Sequence, residues 1–351
     1  MTAGAKHTKI LWKYFMEKNK SSLSARTAVC FGALIVSAAV GICAGSEWIS
    51  PIELISELLD EGLSQNERIV LYIRLPRVLA TVLAGSALAV SGAIIQAVLG
   101  NPLAAPNIIG INAGAGLFTV ICVALFPTAV ELLPAAAFVG ALLAVLLVYG
   151  IAKKTGASRM TIILTGVGVS SLLNAIIDTV TTLYPDSLMG IASFKIGGVE
   201  GVTVNSLFPT WIFIAVGIIV ALMLSHDLDI LSLGENTAKS LGMNVGTIRF
   251  VFLAIAAMLA GAAVSFSGLI GFVGLVVPHI SRKIARCAEN TAVLPICALA
   301  GGAFLTLCDT LARTLFTPYE LPLGIVVSYI GVPFFIWLLI RKKGGKHGDR
   351  A

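Results

Sequence analysis

Long apolar runs, each closed by charges or by Pro and Gly clusters, recur near residues 27 to 45, 78 to 99, 108 to 126, 133 to 152, 160 to 184, 206 to 225, 250 to 267, 270 to 288, 292 to 311 and 323 to 340. A helix needs roughly 20 apolar residues to cross a bilayer core, and the runs are of about that length. They lack the ten-residue alternating segments of a membrane barrel. The pattern predicts an all-α polytopic membrane protein of about ten transmembrane helices.

Two connections carry patterns of their own. Ser50-Pro51-Ile52-Glu53 is a capping box with Pro at the first helical position, and Ile52, Ile55, Leu59 and Leu63 then share one face, which predicts a short amphipathic helix. Ser232-Leu233-Gly234-Glu235 repeats the capping signal; a helix through Thr237, Ala238 and Lys239 would close at Gly242, with Asn244 capping the next span. The loop at 226 to 248 is larger than a bare helix connection and predicts a small structured element.

The chain also repeats itself. Leu83-Ala84-Gly85, Ala87, Ser91-Gly92, Ile94, Leu99 and Pro102 recur 176 residues later as Leu259-Ala260-Gly261, Ala263, Ser267-Gly268, Ile270, Leu275 and Pro278. Five spans, an odd number, separate the copies, so they cross the membrane in opposite directions, as in transporters with inverted repeats. The repeat places Pro278 near the outer side while Arg282, Lys283 and Arg286 mark the inside, so the eighth span is short or broken.

Composition narrows the class. Of 351 residues 57% are hydrophobic and 12% charged, about half the usual charged share, which excludes a soluble enzyme. The net charge of +6 reflects topology rather than a nucleic-acid partner: 19 of 24 Lys and Arg fall in segments that are cytoplasmic if the N-terminus is, against five outside (Arg68, Arg74, Arg77, Lys195 and Arg313). Both termini, 1 to 26 and 341 to 351, are therefore expected as cytoplasmic tails flanking a permease domain at 27 to 340. The run from Thr27 to Gly45 is a first span rather than a signal peptide. Six cysteines without a CxxC pair and four scattered histidines give neither a disulfide framework nor a metal site.

No phosphate-cradling G-x-x-x-x-G-K-[ST] motif occurs, so any ATPase must be a separate chain. Asp178 and Asp309, the deepest acids, lack the partner His, Lys or second carboxylate of a proton relay, which weakens an ion-coupled secondary transporter, the alternative reading. Ser171, Asn174, Asp178 and Thr182 share one face of the fifth span and form a candidate translocation path; bonding of each hydroxyl to a backbone carbonyl four residues back is the plain alternative. Asp309 and Arg313, spaced i,i+4, form a local ion pair by default. Pro76 opens the second span and puts Arg77 in its first turn, where a cation is disfavoured; snorkelling to lipid and docking of an acidic partner weigh equally as compensation.

Taken in order, the segments RLPRVLATVLAGSALAVSGAIIQAVLGNPLAAPNIIGINAGAG (74 to 116), LSLGENTAKSLGMNV (231 to 245), SGLIGFVGLVVPHISR (267 to 282) and DTLARTLFTPYELPLGIVVSYIGVPFFIWLL (309 to 339) resemble the FecCD or vitamin B12 permease type of ABC importer, which serves iron-siderophore complexes, haem and cobalamin. The resemblance spans nearly the whole chain. It implies a ten-helix subunit of the bacterial cytoplasmic membrane without a cofactor of its own, partnered by a second permease copy or paralogue, two ABC ATPase subunits and an external substrate-binding protein. It further implies that Leu233, Gly234, Glu235, Ala238, Leu241 and Gly242 couple to the ATPase, that Arg74, Arg77 and Arg313 dock the acidic lobes of the binding protein, and that the fifth and tenth spans line the path. Phe194, before Gly197-Gly198, stands where many members carry Trp.

Overall fold

A computed structural model describes residues 3 to 344 apart from 46–47, 51–64, 127–128, 157 and 186–187. The amphipathic helix expected after Ser50 lies outside the described residues.

The helices are α1 (Ala3–Cys43), α2 (Gln65–Leu99), α3 (Ile111–Leu125), α4 (Leu133–Lys154), α5 (Arg159–Leu183), α6 (Leu188–Ile196), α7 (Val204–Met223), α8 (Ser225–Ser232), α9 (Glu235–Ser240), α10 (Val245–Ser267), α11 (Val273–Ala285), α12 (Asn290–Thr314) and α13 (Leu323–Gly344). Ten of them coincide with the ten apolar runs, seven being long and apolar enough to cross a membrane by those measures alone. Among the described residues there is no strand. α1 begins well before its run, so the described part of the expected N-terminal tail continues the first span as helix.

The core is built around α2, apolar on every side and buried along nearly all its length from Pro76 to Leu99. α10, α11 and α12 pack against it, and α3 with α4 close the other flank of α10. Glycines bring these axes together. A Cβ on Gly85 would overlap Gly301 O and one on Gly301 would overlap Gly85 O; Gly114 and Gly140 oppose each other across α3 and α4 in the same way. Water-driven burial cannot hold helices together in lipid, so close approach through small residues supplies the packing. Outward faces carry large apolar residues such as Leu143, Leu147, Phe208, Ile212 and Ile219, as a lipid-facing surface requires.

The repeat copies diverge where the sequence put them in tension. Gly92 lies mid-helix in α2, whereas its counterpart Gly268 ends α10 at φ +64°. An irregular stretch follows, and α11 is only 13 residues long. At 1.5 Å per residue that is about 20 Å, too short to cross alone.

The start of the second span differs from expectation. The helix is already present at Gln65, the first described residue there and eleven before Pro76, and passes through a π-helical turn at Val70–Arg74 in which the Leu75 N–H donates to Val70 O. The register shift falls immediately before Pro76, whose missing N–H would otherwise interrupt the ladder.

Candidate functional site

Three regions gather the polar residues: a charge cluster at one end of α2 and α12, a cavity beside α5, and the loop that holds α8 and α9.

In the cluster, Arg77 Nε donates to both oxygens of Asp309 (3.0 and 3.1 Å), and Arg77 Nη1 donates to Glu320 at 2.7 Å. Arg313 Nε lies 3.1 Å from the other face of Asp309 without hydrogen-bond alignment, the i,i+4 pair expected from sequence. Arg313 Nη1 and Nη2 donate to Ala44 O and Gly41 O, and Arg74 Nη1 donates to Ile42 O and Cys43 O. The last turn of a helix leaves its carbonyls without partners and carries a partial negative charge; two guanidiniums cap the end of α1 on both grounds. Arg74, Arg77 and Arg313, expected as docking residues, are all buried, and their guanidiniums bond within the chain. Beside the expected Arg313, Asp309 has in Arg77 a cationic partner that the sequence reading did not find.

The candidate path residues Ser171, Asn174, Asp178 and Thr182 are all exposed on α5. Ser171 Oγ donates to Val167 O and Thr182 Oγ1 to Asp178 O, the local bonding weighed above. Asn174 alone of the four lines a cavity of about 390 Å³, together with Asn107, Asn112, Ser170 and Lys195. These four residues were missed because they come from three separate segments. Their common position depends on a crossing in which Gly166 admits Ile108 O where any Cβ would overlap it.

In the loop, α9 spans Glu235–Ser240 and ends in a Schellman motif: Gly242, at φ +84°, donates to Lys239 O and Met243 N donates to Ala238 O. The Asn244 side chain accepts from Thr247 N and caps α10. The expected Ser232 cap is not formed. Ser232 ends α8 and donates to Asp229 O, while Gly234 at φ +114° takes the cap position. Leu233 and Leu241 stand exposed at the two ends of α9, and Ala238 is fully buried beneath it. Glu235 accepts from Lys239 and from buried Arg249 (2.8 and 3.2 Å), and these bonds hold its carboxyl below the usual carboxylate range. Asp229 of α8 accepts from Asn290 N, Asn290 Nδ2 and Thr291 N, so the loop caps the start of α12. The same helix carries Asp309 near its other end.

Residues 33 to 341 match the FecCD transport family. The chain belongs to that family. It is 35% identical over 310 residues to the Fe(3+)-citrate import system permease protein YfmE of Bacillus subtilis, covering 87% of this chain and 92% of that one. The vitamin B12 import system permease protein BtuC of Vibrio vulnificus is 36% identical over 316 residues, 89% and 93% of the two chains. Among solved structures, an inward-facing metal-chelate type ABC transporter superposes with a TM-score of 0.80 at 26% identity, over 91% of this chain and 99% of that one. The chain is thus a multi-pass membrane transport component.

Proposed function

We propose that the chain is the permease subunit of an ABC importer for an iron(III)-siderophore or a related metal chelate, haem and cobalamin included. The observation that carries this reading is the family match across nearly the whole chain, joined to a cavity at mid-length of α5 beside a broken helix, the arrangement in which membrane carriers hold cargo. A second permease subunit would close the exposed face of α5, an external binding protein would deliver cargo, and two ATPase subunits would bind the loop at 226 to 248. ATP-driven displacement of α8 and α9 would pass to α12 through Asp229, and rocking would open the cavity to either side in turn.

Uptake of iron chelate should collapse when the partner ATPase is inactivated while the ion gradient stays intact; continued uptake would favour an ion-coupled carrier. The charge asymmetry supports a cytoplasmic position for both termini and the α9 loop, so a lone cysteine at Ser232 should react with impermeant thiol reagents only after the inner face is exposed.

Gly242 tests the coupling assignment. No atom lies within 4 Å of where its Cβ would be, so Gly242→Val acts through backbone strain alone, about 1 to 2 kcal/mol at positive φ. Uptake and binding-protein-stimulated ATPase activity should both fall while the amount of folded permease in the membrane is unchanged. Wild-type values for both would make α9 a mere connection.

A further inference from the structure

Two cavities adjoin beside the break between α10 and α11. The first, of about 390 Å³, has Asn107, Asn112, Ser170 and Asn174 in its wall; the second, about 640 Å³, is largely apolar and is bounded by α13. Both sizes suit a small-molecule ligand. Lys195 and Leu269 belong to both walls, and among the described residues Lys195 is the one charged group lining either cavity. No carboxylate among those residues lies within 4 Å of its ammonium. Glu200, the nearest acid in sequence, opens on a separate cleft.

The position of Lys195 is fixed. It precedes the last residue of α6, and the chain there is tied to the break and to α13 by backbone bonds: Leu269 N donates to Phe194 O, Gly198 N to Ser267 O, and Gly324 N to Gly197 O, at 2.9, 2.9 and 3.0 Å. Gly197 and Gly268 take positive φ, and Gly324 leaves room for Ile196 O that a Cβ would fill. In the wall of the first cavity, Ser170 Oγ is buried with no hydrogen-bond partner.

We infer that the paired cavities are the cargo subsite and that Lys195 makes it selective for net-anionic, oxygen-rich chelates, such as ferric complexes of carboxylates or catecholates, over neutral ones. Three asparagines supply hydrogen bonds that do not depend on charge; the exposed ammonium of Lys195 adds an attraction that only an anion feels. This rests on the importer reading above, and the test separates the two.

The potential of the cavities is measured directly, whatever chelate is delivered. Asn174→Cys or Ser328→Cys, one in each cavity, is placed in the full-length permease with its six native cysteines replaced. Modification rates are taken with a sulfonate-bearing and a trimethylammonium-bearing methanethiosulfonate reagent, each divided by its rate with a free thiol. The anionic reagent should be favoured about fivefold at both positions, Lys195→Gln should bring the ratio close to one, and Lys195→Arg should retain it. A wild-type ratio of one or below, or a ratio that Lys195→Gln leaves unchanged, overturns the inference. In cells holding the complete importer, Lys195→Glu should lower uptake of ferric citrate about tenfold more than uptake of a neutral ferric trihydroxamate; equal loss of both overturns the selectivity. Uptake that persists with an inactive ATPase overturns the importer reading instead, and the thiol ratios then still decide the character of the cavity.

Discussion

Gly92→Ala should abolish most of the folded permease. Gly92 sits mid-helix in α2, where a Cβ would overlap Gly274 O and approach Gly274 Cα to 2.5 Å. The obstacle is backbone at the first turn of α11, not the end of a flexible side chain, so relief requires moving a helix that is itself buried. Overpacking of this kind costs about 1 to 3 kcal/mol when neighbours can adjust and more when they cannot. Gly150 of α4 is the control: no atom lies within 4 Å of its Cβ position, and Gly→Ala there should be neutral or stabilise the helix by up to about 1 kcal/mol. Thermal unfolding and monodispersity of the purified permease read both variants. Equal stability of Gly92→Ala and wild type would mean that α2 and α11 do not approach as closely as described.

The contrast between these glycines shows what sequence could convey. Ten apolar helices were legible because hydropathy is a local property that needs no knowledge of partners. The shortness of α11 was legible through a conflict, the repeat demanding one side of the membrane for Pro278 and the charges after it demanding the other. Gly242 was legible because a helix-ending glycine between Leu241 and Met243 has a specific backbone chemistry. The tertiary partners were not. The repeat singled out Gly92 but could not say what it faces, since its neighbour Gly274 lies 182 residues away. Ser232 misled because α8 already runs through it, using Asp229 to cap a helix 61 residues further on. Pro76 misled because a π-helical turn absorbs its missing N–H, and Arg77 was misplaced with it.

Asp309→Asn should be the most damaging change of a single charge. The carboxylate stands between Arg77 and Arg313, with Arg74 on the same cap of α1 and the half-exposed Glu320 as a further acid bonded to Arg77. Asparagine keeps the shape and removes the charge, leaving buried guanidiniums without their shared counter-ion. Breaking a buried pair by removing one partner costs about 3 to 5 kcal/mol, because the remaining charge is neither solvated nor paired. The loss should appear as a lowered unfolding temperature and a smaller yield of monodisperse permease. Removing Arg77 as well, in Arg77→Met/Asp309→Asn, should restore part of the stability, since the residual cation Arg313 still donates to Gly41 O and Ala44 O. Arg77→Lys should resemble the single loss rather than wild type, because one ammonium cannot reproduce a fork that holds Asp309 and Glu320 together. A docking role makes the opposite demand: Asp309→Asn would leave folding intact, and arginine variants would weaken binding of the external protein with no change in unfolding temperature. That outcome would return Arg77 and Arg313 to the surface; a stability loss relieved by the double variant fixes them as the internal brace joining α1, α2 and α12.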